Sequence, residues 1–147
     1  MKIRLRPVFV PLVLAICCAF MAILVGKAPS ETEMRLMDYA AQKKIPYASY
    51  PKSLIELMER NPETEEFVMN FPFHDSGRVD MSAYSANRGV PLFLKWDEQW
   101  GYMEYGGSYV AVTGSAPMCL AMAGYYASGG EEKFEPHRVV AFAKENG

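Results

Sequence analysis

A serine at the predicted start of a helix is the residue of this chain best placed for chemistry. The apolar run Tyr109 to Thr113 breaks at Gly114, and a helix is predicted to begin around Ser115 and Pro117. The positive end of a helix stabilises a thiolate and lowers the pKa of a thiol there. A serine hydroxyl gains far less, because it stays protonated and needs a nearby base before it attacks. Ser115 is therefore a candidate nucleophile, although a helix N-cap is the simpler interpretation.

A second group of candidates ends the short apolar run that precedes this helix, at Lys95, Trp96 and Asp97. The Lys95 ammonium could donate to an oxyanion, but it is long, flexible and strongly hydrated, so a lysine on the surface is the simpler interpretation. Trp96 and Trp100 could line a peptide groove, although such aromatics more often pack in a core or at its rim. Asp97 has no evident carboxylate partner for acid–base catalysis.

The remaining reactive residue types are expected to play no catalytic part. Cys119 follows Ser115 by four residues, about one helical turn, and is expected to be buried among apolar neighbours and inert. His74 falls in a predicted loop and His137 in the first turn of the last predicted helix, and both are expected to face solvent. There is no CxxC or HExxH spacing, so the sequence predicts no metal site and no cofactor.

The N-terminus has the pattern of a targeting segment. Lys2, Arg4 and Arg6 precede Val8 to Val25, an uncharged run that as a helix would span about 27 Å, close to one hydrocarbon core. The basic flank should stay in the cytoplasm. We expect residues 1–29 to be a signal-anchor helix or a cleaved signal peptide, with a buried core helix as the least favoured alternative. The rest of the chain would then be membrane-anchored and face outside the cytoplasm, or be secreted.

Residues 30–89 are predicted to be a helical juxtamembrane segment and linker. Helical composition covers Glu31 to Lys44, a second helix opens at Pro51, and a third is expected to be capped by Asn61. Pro72 to Gly89 is rich in turn-forming residues and predicts a loop.

Residues 90–147 are predicted to form one small domain, with short strands after Val90 and a last helix entered at Pro136. The formal net charge of -2 and the absence of a basic stripe give no support for nucleic-acid binding. Cys17 and Cys18 lie in the N-terminal apolar run, so the three cysteines do not suggest a disulfide framework.

Four segments between Tyr50 and Gly147 resemble, in order and spacing, the first half of the bacterial family 39-like cysteine peptidases, a papain-like group of clan CA. The segments are YPKSLIELMERNPETEEFV, VPLFLKWDEQWGY, VTGSAPMCLAMAGYY and EPHRVVAFAKENG. The resemblance implies an α+β papain-like fold, here mainly the helical N-terminal lobe with short strands, preceded by a transmembrane or signal helix. It also implies hydrolysis of a peptide or protein substrate through an acyl-thiol intermediate.

The resemblance assigns roles to two positions at which this chain departs from the family. Ser115 stands where the family has its nucleophilic cysteine. Lys95 stands where the family has a glutamine whose amide donates to the oxyanion. The general-base histidine belongs to a later sheet lobe, which we expect this chain not to reach. The candidate substrate groove takes in Trp96, Asp97, Trp100 and Gly114.

Three hypotheses arise from these departures. The chain is a membrane-tethered or secreted peptidase-like protein that is inactive, or a non-catalytic pseudopeptidase that binds peptide or cell-wall material, or a truncated form that never assembles a two-lobed site. Loss of one member of a catalytic unit removes most of its activity, so we expect the family relationship without the reaction. An incomplete lobe is also expected to leave an apolar face exposed.

Overall fold

The computed structural model describes residues 28–75, 77, 79–86 and 89–146. The chain divides into two compact units, Met1–Glu31 and Thr32–Gly147. The predicted signal or anchor helix over residues 1–29, with its run Val8 to Val25, falls almost entirely outside the described residues. Within those residues, every helix falls short of the length and apolar content that crossing a bilayer requires.

The second unit is mostly helical, and this corrects the predicted fold class. Its α-helices, within the described residues, are α1 (Glu31–Lys43), α2 (Lys52–Arg60), α3 (Glu65–Asn70), α4 (Val110–Thr113), α5 (Ser115–Ser128) and α6 (Pro136–Asn146). Short 3₁₀ turns cover Tyr47–Ser49, Pro62–Thr64, Phe71–Phe73 and Glu132–Phe134. The described strands, β1 (Glu104–Tyr105) and β2 (Ser108–Tyr109), form one antiparallel hairpin.

The expected α+β, papain-like architecture is therefore wrong for the described residues, because this hairpin is too small to form a sheet layer. The apolar run that starts at Val90 forms no strand. The run before Gly114 leaves the hairpin at Tyr109 and turns into α4. Two backbone bonds fix this change of direction: the Val110 N–H donates to the Met103 carbonyl at 2.8 Å, and the Ala111 N–H donates to the Gly101 carbonyl at 3.0 Å.

The helix predictions are largely confirmed, and the local chemistry explains the boundaries. In α2 the apolar residues Leu54, Leu57 and Met58 are buried, as their i, i+3, i+4 spacing predicts. Helix α1 ends where Lys44 adopts a left-handed conformation with φ of 59°. The next residue, Ile45, donates its N–H back to the Ala40 carbonyl at 2.9 Å, which completes a helix C-cap.

The predicted cap before α3 is wrong in its details. Pro62–Thr64 form a 3₁₀ turn before the α-helix begins, and the Asn61 side chain does not cap it. The Asn61 amide instead donates back to the Leu57 carbonyl at 3.1 Å, while the Thr64 hydroxyl donates to the Asn61 carbonyl at 2.8 Å. Asn61 therefore closes α2 rather than opening the next helix.

The core consists of two clusters that meet around one connection. The first cluster joins α1, α2 and α3 and includes Tyr102. The second joins α5 and α6 and includes Phe93 and Trp100. The Tyr102 ring stacks on Phe67 at 4.2 Å between centroids, and its hydroxyl donates to the Phe67 carbonyl at 2.7 Å. The connection that carries Trp100 and Tyr102 thus anchors the candidate site to both halves of the core.

Candidate functional site

The junction between α4 and α5 places Ser115 as the sequence predicts, at the first residue of a 14-residue helix. The residue preceding it, Gly114, is the N-cap, and no side chain caps this helix. The interpretation of Ser115 as the N-cap is therefore wrong. Its side chain is exposed and makes no hydrogen bond to any described residue. The hydroxyl is free to meet a ligand, but no base touches it within that part of the chain.

Gly114 is required by packing at this junction rather than by its backbone angles. It is buried, and a Cβ built on it would lie 2.5 Å from the Val110 carbonyl oxygen and 2.6 Å from a Val110 methyl carbon. Any larger residue would force α4 and α5 apart. Gly114 positions the start of α5, and its assignment to an open substrate groove is wrong because it is buried.

Lys95 reaches the same junction from the other side. Its side chain is half-buried, and the ammonium donates to the Val112 carbonyl with Nζ 3.4 Å from the oxygen. Because Val112 precedes Ser115 by only three residues, the two candidate positions lie at one helix junction. The ammonium is directed at a backbone carbonyl of the protein itself, which reduces its availability as an oxyanion donor.

The predicted groove residues of the connection from Leu94 to Gly101 hold the fold together instead. Trp100 is 0% exposed, and its indole N–H donates to the Leu94 carbonyl at 2.7 Å. It cannot present a face to a ligand, so its groove assignment is wrong. Trp96 is half-buried and packs against the first core cluster.

Asp97 has both carboxylate oxygens engaged. One accepts a hydrogen bond from the Tyr84 hydroxyl at 2.9 Å, and the other accepts from the backbone N–H of Gln99 at 3.0 Å. Burial and the bond to Asp97 raise the pKa of Tyr84 to about 12, so the phenol remains neutral and donates. These contacts make Asp97 a turn-stabilising residue.

Gly101 is a residue of this region that the sequence interpretation missed. A Cβ there would lie 2.7 Å from the Phe67 ring and 2.8 Å from the Asp97 carbonyl oxygen. The sequence does contain a hint of this role in Trp100-Gly101-Tyr102. A glycine among packed residues can mark a place where the backbone is approached closely.

The two described histidines lie apart from this junction. His74 is exposed, as predicted, and its ring lies 4.5 Å from that of Tyr102. His137, in the first turn of α6, is half-buried, and its Nδ1 is buried without a hydrogen-bond partner, so the expected solvent-facing position is wrong. Burial lowers the pKa of His137; the Glu135 carboxylate 3.7 Å away opposes that shift, but desolvation outweighs it. His137 is therefore neutral near pH 7.

Cys119 is exposed, which corrects the expectation that it is buried. In α5 the buried residues are Pro117, Met118, Ala121 and Tyr125, so the inward face passes to either side of Cys119. The thiol lies one turn beyond Ser115.

The larger depressions of the described surface are elsewhere. One of about 490 Å³ lies between the start of α2 and the β-hairpin, and another of about 550 Å³ lies beside α5 and α6. No group of three or more potential metal ligands is assembled within the described residues.

Comparison with known proteins adds no relative: no family model, no curated protein and no solved structure matches this chain.

Proposed function

We propose that this chain is a non-catalytic relative of the bacterial family 39-like cysteine peptidases, exported or membrane-tethered, that binds peptide without hydrolysing it. The observation that carries the proposal is the state of Ser115. It is an exposed hydroxyl at the N-terminus of a long helix, in the position that the resemblance gives to a nucleophilic cysteine, and no described base contacts it.

Two physical reasons oppose catalysis at this position. A serine hydroxyl must lose its proton to a neighbouring base as it attacks, whereas a helix N-terminus alone can activate a thiol. The ammonium of Lys95, at the oxyanion-donor position, bonds to the Val112 carbonyl. The Ser115 hydroxyl therefore lacks a base to take its proton, and the Lys95 ammonium is already bonded to a backbone carbonyl.

The segment from Val90 to Leu94, next to Lys95, supports the peptide-binding part of the proposal. Along it, Val90, Leu92 and Leu94 are exposed, and Leu92 is 69% exposed, while Pro91 and Phe93 are buried. This is the alternation of a strand with one face on the core. Residues 90–93 form no backbone hydrogen bond with another described residue. An extended peptide can lie along this segment, with its apolar side chains against the exposed apolar residues.

The first test asks whether position 115 retains the electrostatics of a nucleophile site. Ser115→Cys is made in a background in which Cys17, Cys18 and Cys119 are replaced by Ser, and the rate of alkylation by iodoacetamide is followed against pH. We expect the pKa of the new thiol to fall below the ordinary value of about 8.5. Ala123→Cys, on an exposed position in the middle of the same helix, is the matched control and should titrate normally.

The second test measures function. The full chain should show no hydrolysis of fluorogenic casein, and Ser115→Ala should not differ from it. On an array of unbiased decapeptides, Leu92→Ser should weaken binding about fivefold or more, since it removes apolar contact area. Met34→Ser, which changes another exposed apolar side chain on α1 (49% exposed), should not. Hydrolysis that disappears in Ser115→Ala would refute the non-catalytic proposal, and equal binding by Leu92→Ser would refute the peptide site.

A further inference from the structure

The outward face of α6 carries a stripe of four residues, Arg138, Ala141, Phe142 and Glu145. Their spacing of three, one and three residues places them on one side of a helix. All four are exposed, and Phe142 is 63% exposed. A large aromatic side chain in the middle of an exposed helix face is unfavourable unless another surface covers it.

The apolar surface continues onto the neighbouring elements. Leu120 of α5 is 54% exposed, and together with Phe134 and Val139 it lines the depression of about 550 Å³ beside Phe142. The rim of this depression carries charges of both signs, and its two cations are paired with carboxylates of the same chain, Lys133 with Glu131 and Arg138 with Glu132 and Glu135. The cations Lys133 and Arg138 lie towards the N-terminal end of the helix, and the anion Glu145 lies towards its C-terminal end.

This arrangement is complementary to itself. The midpoint of the stripe falls between Ala141 and Phe142, and Arg138 and Glu145 lie about 5 Å from it in opposite directions along the helix. Turning a second copy by 180° about an axis through that midpoint, perpendicular to the helix, sets Arg138 opposite the partner's Glu145, and Glu145 opposite the partner's Arg138. The apolar centres then face each other. A two-fold interface uses the same patch on both subunits in this way.

We propose that this face, formed by α6 with Leu120 of α5, is a homodimer interface in which the two α6 helices pack antiparallel. Charge complementarity selects a second copy of this chain over a lipid surface, because a lipid surface does not match a rim with separated charges of both signs. Glu145 has no ion-pair partner among the described residues, whereas Arg138 pairs within the chain with Glu132 at 3.0 Å and with Glu135 at 3.5 Å. The exposed guanidinium has further donors for the partner's carboxylate.

The size of the face sets the expected affinity. The 11 residues of α6 make a helix about 16 Å long. A face of this length, one to two helix diameters wide, lets each subunit bury a few hundred Å². Stable dimers bury about 1,200 Å² or more in total. We therefore expect a reversible dimer with a dissociation constant on the order of micromolar or weaker.

Charge reversal in the full chain tests the pairing directly. The protein is kept in a non-ionic detergent because of its N-terminal apolar run, and self-association is measured by sedimentation equilibrium. Arg138→Glu and Glu145→Arg should each weaken the dimer about tenfold or more, because each sets like charges against one another. The double variant should return to within about threefold of the unmodified chain, because the pairs are restored with reversed sign. Lys52→Glu, an exposed reversal on α2, is the control that should change nothing.

Cross-linking gives an independent geometric test. In the background in which Cys17, Cys18 and Cys119 are Ser, Ala141→Cys lies beside the two-fold axis and should form an intersubunit disulfide under mild oxidation. Gln42→Cys, exposed on α1, should not. A chain that is monomeric at high concentration would overturn the proposal. So would association that Arg138→Glu leaves unchanged, or a double variant that stays as weak as the single ones.

Discussion

Two adjoining regions of the candidate site differ sharply in how their polar groups are used. In the connection from Leu94 to Gly101, the side chains of Asp97, Glu98 and Trp100 all make hydrogen bonds within the protein. At the first turn of α5, the Ser115 hydroxyl makes none to a described residue. These polar side chains of the connection are thus engaged within the protein, whereas the Ser115 hydroxyl has no described partner.

The contrast bears on function because hydrogen bonds in a partly buried connection and an exposed hydroxyl have different energetics. A buried donor that loses its partner costs about 1–3 kcal/mol, so the connection must be kept intact for the fold to persist. An exposed hydroxyl exchanges its hydrogen bonds with water at little cost. The first region should therefore respond strongly to substitution, and the second should hardly respond.

The largest expected effect is that of Trp100→Ala. The side chain is fully buried, packs edge-on against Phe93 at 5.7 Å between centroids, and donates to the Leu94 carbonyl. Removing it leaves a cavity and takes away one of the two hydrogen bonds to the Leu94 carbonyl, which keeps the bond from the Asp97 N–H at 3.1 Å. We expect a loss of about 3–5 kcal/mol in the free energy of unfolding. Urea denaturation monitored by circular dichroism measures it. Trp96→Ala, at a half-buried position, is the comparison and should cost clearly less; equal losses would contradict the distinction between them.

A smaller effect is expected for Gly114→Ala. At most helix boundaries this change is mild, but here the new methyl carbon would lie 2.5 Å from the Val110 carbonyl oxygen. The backbone between α4 and α5 has to shift, and we expect a loss of about 1–3 kcal/mol, as in other overpacked sites. Ala111→Gly is not a suitable control because it opens a cavity, whereas Ala116→Gly is exposed and should cost about 1 kcal/mol through helix propensity alone. Equal or higher stability of Gly114→Ala would show that the junction tolerates a side chain.

The same two regions show how far the sequence could be interpreted. The start of α5 at Ser115 follows from the break at Gly114, which is a local signal, and α6 follows from Pro136 in the same way. The burial of Trp100 and the bonds of Asp97 depend on Tyr84 and Leu94, which meet them only in three dimensions.

The shortage of strands after Val90 and the exposure of Cys119 both differ from the expectations, and both depend on tertiary contacts. The β-branched run before Gly114 favours a strand locally, but backbone bonds to Gly101 and Met103 turn it into a helix. A lone cysteine is usually buried, which is why Cys119 is expected inside. The exposure of Cys119 depends on which face of α5 packs against α6. The polar and apolar residues of α5 are too evenly mixed for the sequence to indicate that face.

The third prediction tests the Tyr84–Asp97 bond through pH. The pKa of Tyr84 is raised from 10.0 to about 12, chiefly by burial and then by Asp97. Because the folded state holds the proton more tightly, the stabilising contribution is complete below pH 10 and is lost as the pH rises from 10 towards 12. Tyr84→Phe should be about 1 kcal/mol less stable at pH 9, since the hydrogen bond is missing. The difference between the two proteins should shrink above pH 10.

Urea denaturation of both proteins at several pH values from 8 to 11 measures this difference. Tyrosines common to both chains cancel in the comparison. Tyr126→Phe, at an exposed position, is the control and should differ from the unmodified chain by a small and constant amount. A gap between Tyr84→Phe and the unmodified chain that widens above pH 10 would have the wrong sign and would remove Asp97 from its assigned structural role.

Ser115→Ala should have almost no effect on stability, and this makes it the most direct test of the contrast between the two regions. The hydroxyl has no described partner, so its removal should change the free energy of unfolding by no more than about 0.5 kcal/mol, in either direction. A loss of 1 kcal/mol or more would mean that Ser115 supports the helix after all, and its exposed hydroxyl would no longer indicate a vacated nucleophile position. A change in the free energy of unfolding near zero, beside the large loss at Trp100, would show that Ser115 has no structural role. The proposal of a former nucleophile position requires that result.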